Sequence, residues 1–141
     1  MKVSRVAMLR KRSRREVVWK VAPDIKKRIR NLVLGGRLEH VRGARVFCFR
    51  STGAKTRAYA RIWGLGRIWQ QALDLSPAYV IEVISERFDR LAETKQDMVL
   101  VHELLHIPKT FSGALVPHRH KGGVNDKAVR EVYLQAKRNS K

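Results

Sequence analysis

The chain has 141 residues, 44% of them hydrophobic, and a formal net charge of +19. That length suits one domain that buries about two thirds of its unfolded surface, which excludes disorder as the default state. Cys48 is the single cysteine, excluding an intramolecular disulfide or a cysteine-built zinc cluster, and the apolar runs "AYVIEVI" and "MVLV" are far short of the roughly 20 residues that span a bilayer.

Residues 1–15, "MKVSRVAMLRKRSRR", show no period and read as a basic arm, with seven basic and no acidic groups. No apolar stretch follows this arm, so it does not read as a secretory signal. "EVVWKVA" is short and β-branched, as a strand requires. "PDIKKRIRNLVLGG" reads as a helix. Pro23 suits its first turn, Ile25, Ile29, Leu32 and Val33 form an apolar stripe, and Gly35 and Gly36 stop it. Lys26, Lys27 and Arg30 lie on its opposite, basic face. "ARVFCFR" is a second strand.

Residues 51–75 mix Gly, Arg and Trp, and "RIW" occurs twice, six residues apart. Two readings stand. Tyr59, Trp63 and Trp69 stack bases while Arg61 and Arg67 hold phosphates, or the tryptophans are core residues whose arginines reach to water. The general burial of large aromatics favours the second. "AYVIEVISERF" reads as a strand entering a loop, with Tyr79, Ile81 and Val83 on one face and Val80, Glu82 and Ile84 on the other.

"ETKQDMVLVHELLHIP" has the strongest helical pattern. Thr94 and Asp97 resemble a capping box, Met98, Val101 and Leu105 share a stripe with Leu104 beside it, and Pro108 bars continuation. "NDKAVREVYLQAKR" is a C-terminal helix. Asn125 caps it, Asp126 meets its positive end, and Lys137 and Arg138 meet its negative end. Strands and helices in this order imply an α+β domain over residues 16–141, with a small mixed sheet packed on helices.

The charge is uneven. Residues 16–75 carry 13 basic and four acidic groups, and residues 76–141 carry 11 and eight. Of the +19, +16 therefore precedes residue 76. This imbalance points to a polyanionic partner, because each cation set on a phosphate releases a counterion. The candidate contacts are Arg10, Lys11, Arg12, Arg14, Arg15, Lys26, Lys27, Arg30, Arg61 and Arg67, with DNA, RNA or a ribosome as partner. No membrane partner is expected, and the charge with the lone cysteine suits a cytoplasmic protein.

Four of the five histidines fall in "VHELLHIPKTFSGALVPHRH". Residues four apart share a helix face, so His102 and His106 present two imidazoles one turn apart. Glu103 lies beside them, able to take a proton from a water acidified by a metal ion. This is the HExxH arrangement of zinc-dependent peptidases. A catalytic Zn2+ takes a third protein ligand and keeps one open position. His118 and His120 both follow, two apart, and the pattern does not choose between them. Glycines at 113, 122 and 123 let the segment turn back. Asp126 and Glu131 are lesser candidates, as carboxylate ligands or as partners holding a ring. His40 reads as a surface loop residue.

The motifs "HELLHIP" and the downstream "PH", within "VIEVISERF…MVLVHELLHIPKTFSGALVPHRHKGGVND", resemble the small metallopeptidase family of archaea and phages. That family is a minimal zincin-like group, similar in plan to the SprT-like zinc proteases. The likeness covers about residues 78–130. It implies a zincin-like fold with the HExxH helix in the core, Glu103 as general base, and His102, His106 and His118 as zinc ligands, His120 being the alternate. It also implies a peptide or protein substrate, held by edge pairing along the strand around Tyr79–Ile84. Arg119 and Lys121, flanking the third ligand, are candidates to stabilise an oxyanion.

The chain thus reads as a zinc metallopeptidase brought to nucleic acid by its basic half. The competing reading is a nucleic-acid-binding or ribosome-associated protein whose zincin-like core is structural or inactive. A zinc-dependent nuclease is a weaker third, since such sites favour carboxylates or paired metals.

Overall fold

The computed structural model describes residues 16–118 and 123–140. The basic arm, with Arg10, Lys11, Arg12, Arg14 and Arg15, lies outside the described residues, as do Arg119, His120, Lys121 and Gly122. From residue 16 the β-branched run forms β1 (Val18–Val21), followed by α1 (Pro23–Gly35) with Pro23 in its first turn. Of the predicted stripe, Ile25, Ile29 and Leu32 are buried and Val33 is half-buried against them. After a single 3-10 turn come β2 (Val46–Thr52), β3 (Ala60–Gly64), α2 (Arg67–Leu73) and β4 (Tyr79–Ile84). Three further helices follow: α3 (Ser85–Phe88), α4 (Glu93–Leu105) and α5 (Asp126–Asn139).

The sheet is small and mixed, in the order β1-β2-β4-β3. β2 and β4 run parallel, and the outer pairs are antiparallel. Strand alternation sorts its two faces. Val46, Cys48, Tyr79, Ile81, Val83 and Ala60 join one buried cluster with Ile25, Ile29, Leu100, Leu104 and Val129 from α1, α4 and α5. α1, α4 and α5 therefore stack on a single face, and the architecture is α+β as expected. α4 is the innermost helix, with Leu100, Val101 and Leu104 fully buried.

The structure corrects several expectations. Neither Thr94 nor Asp97 caps α4, whose N-cap is Ala92 with no side-chain bond. Asp97 instead accepts from Arg28 of α1 at 2.6 Å, an ion pair tying two helices together. The buried stripe of α4 runs through Leu100, Val101 and Leu104, with Met98 and Leu105 half-buried at its margins. Residues 51–75 contain both a strand and a helix. The two "RIW" copies consequently adopt different conformations, one in β3 and one in α2. Neither tryptophan is core: Trp63 is 51% and Trp69 59% exposed. β4 is flanked by strands on both sides, so it offers no free edge; the edge nearest α4 is β3. By contrast α5 follows its reading, with Asn125 Oδ1 accepting from the Ala128 N–H at 2.9 Å.

Candidate metal centre

α4 carries His102, its C-cap His106 follows one turn on in helical conformation, and the backbone after it returns the third ring. The chain leaves the helix at Pro108 and bends through Phe111, which is buried with φ 49°. It bends again at Gly113, with φ +94°, where only glycine fits readily. Gly113 and Gly64 press together, since a Cβ added at Gly64 would lie 2.0 Å from the Gly113 carbonyl oxygen. The Tyr79 hydroxyl, projecting from β4, accepts from the Gly113 N–H at 2.8 Å and donates to the Ala114 carbonyl at 2.7 Å. Gln70 Nε2 of α2 donates to the carbonyls of Leu65 and Ser112. The returning loop is thus fixed to the end of the sheet from two directions.

From there it runs back along α4. The Val116 N–H donates to the His106 carbonyl at 2.7 Å, and Val116 O lies 2.5 Å from His106 Nδ1. With Nδ1 carrying the proton given to that carbonyl, the lone pair of His106 is on Nε2. Two residues on, His118 reaches the same point. His102 Nε2 is 3.0 Å from His118 Nε2 and 3.3 Å from His106 Nε2. One ligand atom from each ring lies within 4.8 Å of both others. Nitrogens about 2.05 Å from one tetrahedral ion are about 3.3 Å apart, so the donor set fits a divalent metal. His106 is buried, His102 half-buried and His118 exposed, which leaves the centre open on one side.

The electrostatics suit cation capture. Burial lowers the His102 pKa, and the neighbouring His106 and His118 rings lower it further against the pull of Asp126. Burial also lowers that of His106. Both rings are therefore neutral, as ligands must be, at neutral pH. Glu103 points the other way: burial pushes its carboxyl up to about 8. It forms no hydrogen bond or ion pair among the described residues, and it faces a cleft of about 420 Å³ together with His102, Tyr59, Ala60 and Asp126.

Of the other candidates, His40 is half-buried and its Nε2 meets the Ile107 carbonyl at 3.1 Å, bracing the end of α4. Asp126 lines the cleft, while Glu131 is exposed on α5. Among the proposed phosphate contacts, Lys27 and Arg30 are exposed on α1, and Lys26 donates to the Gly43 and Val46 carbonyls. Arg61 is committed to Glu82 at 2.8 Å, and Arg67 opens the exposed α2. They do not form one surface, because α1 and the Arg61 side chain lie on opposite faces of the sheet. The tyrosine clamp, Gln70 and the Gly64–Gly113 contact were missed from the sequence. Only Gly113 carried a signal there, as a turn residue.

Two imidazoles from one helix and its C-cap, with a third from a braced return loop, make this an α+β protein with a three-histidine cluster of metal-ligand geometry. Residues 17–131 match the family described as "Putative phage metallopeptidase", and the chain belongs to that family. The match reaches back to β1, well beyond the residues around HELLHIP that carry the resemblance. No curated protein and no solved structure matches the chain.

Proposed function

We propose that the protein is a zinc-dependent metallopeptidase that uses Glu103 as general base and associates with nucleic acid through its basic N-terminal half. The observation that carries the peptidase reading is the meeting of three Nε2 atoms beside a cleft into which Glu103 faces. Zinc is the favoured ion because the donors are imidazoles at tetrahedral spacing, with no ring of hard oxygen ligands.

When bound, such an ion supplies Lewis acidity, polarising a peptide carbonyl and acidifying water. The chain's own groups do the rest. Val116 holds His106 in the tautomer that offers Nε2. Glu103 takes a proton from water as the water oxygen bonds to the carbonyl carbon, then delivers it to the amide nitrogen as the C–N bond breaks. His102, His106 and His118 would hold such an ion, and its positive charge would oppose the rise in Glu103 pKa caused by burial, favouring the basic carboxylate. β3, whose first residue lines the cleft, replaces β4 as the strand that would hold an extended peptide by edge pairing.

Metal content by mass spectrometry, measured beside cleavage of an unfolded protein substrate, tests this. Glu103→Gln should retain its metal and lose at least about a hundredfold in cleavage. Cleavage surviving in that variant would reject the assigned role. The charge before residue 76 supports nucleic-acid association and also motivates the second reading, a nucleic-acid- or ribosome-associated protein with a structural core. Metal-loaded wild type that cleaves nothing, yet binds RNA or DNA with a steep salt dependence, would favour that second reading.

A further inference from the structure

Apart from the metal centre, the largest unexplained feature is the sheet face turned away from the helices. Register places Trp19 and Val21 of β1, Phe47, Phe49 and Ser51 of β2, Val80, Glu82 and Ile84 of β4, and Arg61 and Trp63 of β3 on that face. Ser51, Glu82 and Ile84 are buried, but Trp19 is 56%, Phe47 42% and Trp63 51% exposed, with Phe49 half-buried. A folded domain gains nothing from leaving three large aromatics in water on one sheet face.

The aromatics form a path. Trp63 and Phe47 both oppose Val80, so they stand on either side of one strand, about 10 Å apart. Phe49 lies two residues from Phe47 on the same strand, and it is diagonal to Trp19, which pairs with Ser51. The path is also cationic. Arg61 lies 5.0 Å from the Trp63 ring centre, and Arg45 lies 5.7 Å from that of Phe47. The single acid on the face, Glu82, is neutralised beneath it by Arg61 and by the Trp63 Nε1–H at 2.9 Å. That bond also fixes the Trp63 ring in place. In the sequence, the seven basic residues of 1–15 precede β1, the strand that carries Trp19.

We propose that this face is a stacking platform for single-stranded nucleic acid, with bases on Trp63, Phe47, Phe49 and Trp19 and phosphates beside Arg45 and Lys26, the cations at Phe47, since Arg61 is taken up by Glu82. Aromatic faces alternating with cations are what an unpaired strand requires, and every base has a π-face to offer. Among the described residues the face's polar side chains are buried or already paired and none is placed to read a 2′-hydroxyl, so DNA and RNA single strands should bind alike. A duplex hides its bases and is held by charge alone. This assignment rests on the nucleic-acid association proposed above and gives it a location, on the opposite side of the sheet from the metal centre.

The test is fluorescence anisotropy of the full chain with labelled dT20, U20 and a 20-base-pair duplex across a salt series. Trp19→Ala and Phe47→Ala, which remove no hydrogen bond to Glu82, should each weaken dT20 and U20 about tenfold, with the salt slope unchanged. Substituting Gln for Arg10, Lys11, Arg12, Arg14 and Arg15 should flatten that slope instead. Wild-type affinity in both aromatic variants, or a more than tenfold preference for one sugar, overturns the platform while leaving charge-driven association intact. Absence of binding by the wild type at low salt overturns both. If these variants abolish a concentration-dependent dimer rather than oligonucleotide binding, the face is a self-interface and the proposal fails.

Discussion

His106 and Val116 are joined twice: the valine N–H donates to the histidine carbonyl at 2.7 Å, and the valine carbonyl sits 2.5 Å from the ring Nδ1. The first bond sets where the return loop runs and the second sets which nitrogen faces the metal. Because Val116 is two residues before His118, one anchor positions two ligands. His118→Ala should therefore remove a ligand outright and reduce zinc affinity by more than the ten- to hundredfold typical of losing an outer partner. His120→Ala should leave metal content near one ion per chain. Mass spectrometry of the two purified variants compares them directly, and the reverse order would make His120 the ligand.

Tyr79 supports the same loop from the sheet. Its hydroxyl satisfies one donor and one acceptor of the Gly113–Ala114 backbone, and both lose that partner in Tyr79→Phe. The expected cost is about 1–3 kcal/mol in denaturant unfolding. Zinc affinity should fall as well, roughly tenfold, because His118 is held through this loop. A variant that loses stability but keeps full affinity would show that the loop is positioned by Val116 alone.

Gly113 permits two things at once, a φ of +94° and contact with the β3–α2 connection. An added Cβ would lie 2.1 Å from the Leu65 carbonyl oxygen, which is backbone and cannot yield easily. Gly113→Ala should cost more than about 2 kcal/mol from strain and overlap together. A lowered melting temperature with loss of bound metal is the expected pair of results. Gly64→Ala meets the same contact from the other side and should behave similarly.

What the sequence made legible followed from local rules. The HExxH spacing placed two rings on one helix face, Asn125 marked the start of α5, and the stripe of α1 identified its buried residues. The failures were non-local. Asp97 looked like a cap because it follows Thr94 by three residues, but Arg28, far away in the chain, claims it. Trp63 looked like core because of its size, yet the register of β3 turns it to the face opposite α1, α4 and α5. Neither the tyrosine clamp nor the edge position of β3 leaves a trace in residue spacing, since both depend on strand order.

Glu82 is 1% exposed and depends on partners that are not. Burial alone would raise its pKa. Hydrogen bonds from Arg61 and Trp63, with the nearby Ser51 hydroxyl, outweigh burial and hold it below its ordinary value. A carboxyl so lowered adds stability above its unfolded pKa, and that stability is lost as pH falls through the folded value. Arg61→Leu should cost about 2–3 kcal/mol near neutrality, less than a fully buried pair because the guanidinium side chain is 34% exposed. The difference from wild type should shrink below about pH 4, where Glu82 is protonated in the variant. Unfolding curves at pH 7 and pH 4 measure it, and an unchanged gap would mean that packing, not charge, was lost.

Glu103 gives the opposite dependence. Burial raises its pKa to about 8 from an ordinary 4.5, so the folded metal-free chain holds a proton that the unfolded chain has released. Metal-free stability should therefore fall as pH rises from about 5 to 8, and by a few kcal/mol at most. His102 and His106 act in the acid range: with lowered pKa values, they cost stability only as pH drops below about 6.5. The two limbs overlap between about pH 5 and 6.5, and the metal-free chain should be most stable where their opposing slopes balance. Glu103→Gln should remove the alkaline limb and leave the acidic one. Zinc should do the same in the wild type by stabilising the carboxylate, while adding its own binding energy. An alkaline limb that persists in Glu103→Gln would trace the titration to another group and weaken the case for Glu103 as a carboxylate the metal must recharge.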